Sequence, residues 1–158
     1  MQIQFRNLLT TIEKEIIEIF KKNKSHHAVI IVLFRGEKLP KYCSPMLRDP
    51  KPKTNIILNN NFSEIYFSAM KDNSSIKDGA VLIQLKHNNA VLRGFSYRLF
   101  PPPLKKSRLK NKGSGYNSAF DFSAVKRVIC VYFVNKDGVK KFIKGKEEVL
   151  FKPRANRF

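Results

Sequence analysis

Acidic residues are scarce in this chain. Asp and Glu number 12 against 31 Lys and Arg, a net charge of +19 on 158 residues. Self-repulsion of that size works against a compact state and raises the surface potential, so the chain is expected to rest against a polyanion, nucleic acid first. Tryptophan is absent and cysteine nearly so. Cys43 and Cys130 stand far apart in no metal-like spacing; a disulfide stays open, and the low usage fits a reducing compartment. No apolar run approaches the roughly 18 residues that a membrane span needs. MQIQFRNLL lacks a charged region followed by an apolar run, so no secretory signal is expected and the location expected is intracellular. There is no Walker loop and no Gly-rich dinucleotide fingerprint, since Gly113-Ser114-Gly115 lacks the following Lys-Ser/Thr.

What is there is sufficient for a core. Apolar residues make up 42% of a length that suits one domain, 1–158. Lys (22) outnumbers Arg (9), and Asn, Ile and Phe are abundant. These are residues of AT-rich codons, which points to an AT-rich genome and to a mitochondrion or a cytoplasm as the setting.

Residues 5–22 carry Phe5, Leu8, Leu9, Ile12, Ile16, Ile19 and Phe20 at helical spacing, with Lys21, Lys22 and Lys24 at the end that favours cations. AVIIVLF (28–34) is a continuous β-branched run and predicts a buried strand, with His26-His27 before it as a structural or capping feature. Residues 35–54 hold four prolines and six bases against two acids, which predicts an extended basic loop. NIIL (55–58) and FSEIYFSA (62–69) are short strand candidates, the second with a helical turn as alternative. AVLIQLK (80–86) and 90–100 predict a hairpin across His87-Asn88-Asn89, with a bulge at Gly94. Residues 125–134 and 139–143 predict a second hairpin, with Asp137-Gly138 suited to a type I′ turn, and 148–151 a last short strand. The expected architecture is α+β: an N-terminal amphipathic helix, then a mostly antiparallel sheet or small barrel with long basic loops.

The most unusual stretch is FPPPLKKSRLKNKGSGYN. Pro101, Pro102 and Pro103 can neither donate to a ladder nor sit inside a helix. Lys105, Lys106, Arg108, Lys110 and Lys112 follow without an acid among them, so 101–117 reads as a basic arm that phosphate neutralisation would order. Arg35, Lys38, Lys41, Arg48, Lys51 and Lys53 in the 35–54 loop, with Arg154 and Arg157 in the basic tail 152–158, extend the same surface. Tyr42 and Tyr116, set among Lys, Gly and Pro, are candidates for base stacking, whereas Phe100, Phe120, Phe122 and Phe133 are expected in the core.

Residues 98–115, RLFPPPLKKSRLKNKGSG, resemble ribosomal proteins in general character: a strand, then a Pro- and Lys-rich extension with small residues. The R-L-F-P opening and the later K-N-K-G-S-G, followed by a strand, are similar to a large-subunit family whose basic loop penetrates ribosomal RNA. With the +19 charge spread over several Pro/Gly-rich loops, the expected function is that of a structural, non-enzymatic component contacting rRNA and neighbouring ribosomal proteins, and no cofactor or metal is expected. The resemblance assigns no residue a role.

Two alternatives come from other classes. His87, Arg93 and Tyr97 supply a base, a phosphate clamp and a proton donor, enough for a small metal-independent, toxin-like ribonuclease if they converge. A phage or viral DNA-binding protein would carry the same charge. A metal-dependent nuclease needs converging carboxylates, and Glu64, Asp72, Asp78 and Asp121 are isolated in sequence.

Overall fold

The computed structural model describes residues 2–104 and 112–155. Helix α1 (Gln2–Lys22) opens the chain, followed by strands β1 (Val29–Arg35), β2 (Cys43–Pro45) and β3 (Ile56–Leu58). Helix α2 (Phe62–Asp72) and a 3-10 turn (Ser74–Lys77) precede the hairpin of β4 (Ala80–Lys86) and β5 (Asn89–Leu99). Helix α3 (Ser114–Phe122) leads into the meander β6 (Val128–Asn135), β7 (Gly138–Ile143) and β8 (Lys146–Phe151).

All eight strands join one sheet in the order β2-β5-β4-β1-β6-β7-β8, with β3 also pairing with β5. Only β1 and β4 run parallel. A parallel pair needs a long crossover; the one between β1 and β4 carries α2 onto the face where α1 lies. The expected α+β class with an N-terminal helix and a mostly antiparallel sheet is what forms.

Alternation along the central strands divides the core in two. Ile31 and Leu33 of β1, with Val81, Ile83, Tyr132 and Val134, pack under α1 and α2. Val32 and Phe34, with Leu82, Val131 and Phe133, pack under α3. Because both faces are covered, β1 is apolar at every position from Val29 to Phe34, which explains the unbroken run in the sequence. Each fully buried Ile or Phe contributes about 1.5–3 kcal/mol of transfer free energy, so these two layers supply the drive that offsets the charge repulsion.

Three expectations are corrected. Residues 62–69 form helix, as the alternative reading had it: Phe62 and Tyr66 lie one turn apart and face the core, and Glu15 of α1 accepts from the Ser63 amide at 3.3 Å. The segment after Gly113 is a helix, where both the arm reading and the ribosomal resemblance had loop and then strand. Tyr116, Ala119 and Phe120 fall on its inner face at i, i+3 and i+4, so burial overrides a sequence poor in helix formers. At the β6–β7 turn the positive φ belongs to Gly138 (+129°), not to the central residues Lys136 and Asp137, so the turn is not type I′. The expected bulge at Gly94 is present. Register shifts flank it, and a Cβ there would lie 2.3 Å from the Tyr97 ring.

Candidate anion-binding groove

The groove lies where the start of β4, the end of β5 and the N-terminus of α3 meet. Its floor is set by a tight crossing at Gly79, which has φ +89° and leaves no room for a side chain: a Cβ would sit 2.8 Å from the Ser96 carbonyl carbon and 2.9 Å from the Tyr97 oxygen. Ser96, fully buried at φ +58°, fixes that crossing. Its hydroxyl lies 2.8 Å from the Asp78 carbonyl oxygen and 3.1 Å from that of Ile76, while Arg48 Nε donates to Ser96 Oγ at 3.1 Å. The Arg48 guanidinium also lies 3.8 Å from the Asp78 carboxylate. Arg48 was expected on an RNA-facing loop; it is instead a mostly buried clamp that ties the loop to the entry of β4.

The opposite wall is α3. Its N-cap is Gly113, which offers no side-chain cap. The first intrahelical backbone bond runs from Asn117 N–H to the Gly113 carbonyl, so the amides of Ser114, Gly115 and Tyr116 open the helix without intrahelical partners. The helix can come close to the sheet because residue 115 has no side chain; a Cβ there would already be 3.3 Å from the Phe133 ring. Two adjoining clefts, of about 200 and 270 Å³, run over this terminus and share Leu99, Ser114 and Ser118. Arg98 lines the first, and Phe100, Asn117 and the buried Asp121 line the second. Uncapped helix amides beside an exposed guanidinium make a place where an anion is stabilised.

Aromatic placement separates what sequence could not. Phe120, Phe122 and Phe133 are buried as expected, but Phe100 is 53% exposed, because β5 has left the sheet interior by Leu99 and Pro101 follows. Tyr42, 42% exposed at φ +65°, meets Phe100 edge to face at 6.4 Å, and Phe100 N–H donates to the Tyr42 carbonyl at 2.9 Å. Tyr116 does not offer a stacking face: it is buried against Phe120, Phe133 and Phe142, and its hydroxyl donates to Glu147 at 2.9 Å. Burial, aided by that bond, pushes the Tyr116 phenol up to about 12.

The other sequence-predicted residues scatter. Lys112 stands 5.1 Å from the Tyr116 ring centroid, at the mouth of α3. Lys41 lines a third cleft of about 370 Å³ beside Tyr42. Arg35 covers the Phe5 ring at 4.9 Å, Lys38 is exposed, and Lys51 and Lys53 edge a separate cleft against α2. Arg154 is exposed beyond β8. Lys105, Lys106, Arg108, Lys110 and Arg157 lie outside the described residues. The ribonuclease constellation is not assembled. His87 occupies the β4–β5 turn, whereas Tyr97 pairs with Ala80 at the other end of β4, roughly 20 Å away at about 3.3 Å per residue. Arg93 is engaged by the Gln84 side chain at 2.9 Å. Both cysteines are free, and among the described residues no three His, Cys, Asp or Glu side chains form a metal-binding group. Among the same residues no helix is long and apolar enough to cross a membrane.

Fold and groove together define a mixed-sheet α+β domain with an uncapped helix terminus over a switch from strand to loop. No known protein family matches the chain, and no curated protein does. Solved structures do. The chain is similar to a hypothetical membrane spanning protein from Bacillus cereus (TM-score 0.56, 19% identity), of which it covers 61% while 89% of its own length aligns. It is also similar to DacA from Staphylococcus aureus in a double-mutant form (TM-score 0.54, 16% identity), with 93% of this chain and 88% of that one aligned. At these identities the likeness is one of fold. The chain spans about three fifths of the Bacillus cereus structure.

Proposed function

We propose that this protein binds a nucleotide in the groove over α3, with phosphate at the uncapped helix terminus and the base against Phe100. The observation that carries this reading is the meeting, in adjoining clefts over one helix terminus, of amides without intrahelical partners, the exposed Arg98 and an exposed aromatic ring. The amides supply directional donors, Arg98 supplies a charge, and Phe100 supplies a face that any base can cover. The clefts are small, which favours one or two nucleotides over a long duplex.

A second reading keeps the same chemistry and takes the nucleotide from an RNA strand, as in a ribosomal protein. The +19 charge favours it, because Lys112 at the mouth of α3 and Lys41 beside Tyr42 would contact a phosphate backbone leading away from the groove. Equilibrium dialysis against adenosine and guanosine nucleotides, and against a single-stranded RNA oligomer, tests both. Saturable nucleotide binding that Arg98→Gln weakens about tenfold or more supports the first reading. Oligomer binding with a steep salt slope and no response to free nucleotide supports the second. Absence of both overturns the groove as a phosphate site.

A further inference from the structure

A second cleft, on the other side of the β5 edge from α3, has a different chemistry. Residues 46–55 form a strap pinned at both ends to β5: Met46 N–H donates to the Ser96 carbonyl at 2.9 Å, and Asn55 N–H to the Leu92 carbonyl at 2.7 Å. Between the pins the strap cannot ladder, since Pro50 and Pro52 have no donors. It bows away and meets α2 instead, where the Asn73 side chain donates to the Pro50 carbonyl at 3.4 Å. The space left between strap and helix is a cleft of about 620 Å³. That volume lies within the usual range for small-molecule sites.

Its floor is apolar, made by Ile56, Ile65 and Phe95. Its two walls carry opposite charge. Lys51 and Lys53 stand on the strap; Glu64 and Asp72 stand on α2, two helical turns or about 12 Å apart along one face. None of these four side chains forms an ion pair among the described residues, although acids are few in this chain. Proline fixes the strap, so the walls are held apart before any ligand arrives.

We propose that this cleft binds a dipeptide-sized zwitterion with an apolar side chain. The side chain lies on Phe95 and Ile65, the carboxylate faces Lys51 and Lys53, and the ammonium faces Glu64 and Asp72. A phosphate ligand is disfavoured here by the two exposed carboxylates.

The test is amide chemical-shift titration of the full chain with the dipeptide phenylalanyl-leucine. The same titration is run with its N-acetyl form, its C-amide form and the doubly blocked form. Saturable shifts at Ser68, Ala69 and Phe95, with about tenfold weaker binding for each singly blocked form, support the site. Glu64→Gln with Asp72→Asn should remove the preference for the free amine, and Lys51→Gln with Lys53→Gln the preference for the free carboxylate. All four side chains border open space, so these variants are expected to fold. No saturable shift overturns the proposal. So does equal binding of the doubly blocked form, which would leave only an apolar patch, or displacement of the same signals by a single-stranded RNA oligomer.

Discussion

Phe100→Ala separates the two places this ring can be, core or ligand surface. A core phenylalanine replaced by alanine costs about 3–5 kcal/mol. A ring that is 53% exposed retains about half of the ~1.5–3 kcal/mol that full burial gives, so the substitution is expected to cost about 1 kcal/mol. In a chain of this size that lowers Tm by roughly 2–4 °C, against ~6–20 °C for a core position. On the ligand side, base stacking contributes about 1–3 kcal/mol per base, which is about five- to 150-fold in Kd. Thermal unfolding and nucleotide dialysis on the same preparation read both quantities. A small shift in Tm with a large loss of binding is expected. A Tm loss above about 6 °C with unchanged affinity would refute the exposure argument and the base-stacking role together.

Other outcomes follow from the packing. Lys141 and Glu13 pair at 2.9 Å with side chains 11% and 18% exposed, and Tyr132 donates to the same Glu13 carboxylate at 2.7 Å. Lys141→Met should therefore cost about 3–5 kcal/mol by urea denaturation, while adding Glu13→Gln, which removes the unpaired charge and keeps an acceptor for Tyr132, should recover most of it. His27 is held below its ordinary value of 6.5 by burial and then by Lys77, with Asp78 opposing, and its Nε2 lies 2.8 Å from the Tyr66 hydroxyl. The neutral ring is the folded form, and the unfolded chain binds the extra proton first. Stability should be full above pH 6.5 and fall as pH drops from there through the folded value; His27→Gln should flatten that slope in urea midpoints. Gly79→Ala should cost more than about 1 kcal/mol, because φ +89° and backbone 2.8 Å away both exclude a Cβ; an unchanged urea midpoint would contradict the crossing at Ser96.

Reading forward from residues succeeded where one signal dominated. The run 28–34 read as a buried strand, and the stripe from Phe5 to Phe20 as a helix packed on a sheet; both formed. It failed where signals were short or mixed. FSEIYFSA offers β-branched and aromatic residues to either structure, and only the contact with α1 selects the helix. SGYNSAFDF has poor helix formers and carries its signal in Tyr116, Ala119 and Phe120 alone, a spacing that could have been noticed.

By itself the sequence determined the class of the fold, its hairpins and the excess of positive charge, because periodicity, turn residues and formal charge are local properties. Which of the candidate side chains turn inward and which stay exposed was decided only by tertiary structure. Arg48 turns inward to Ser96, Arg93 engages Gln84, and His87 is carried to the far end of a hairpin, while Phe100 is left outside. The groove itself joins residues from positions 79, 98 and 114, and the second cleft joins 51, 64 and 95. Contacts between such distant positions depend on strand order and register, which no local pattern encodes.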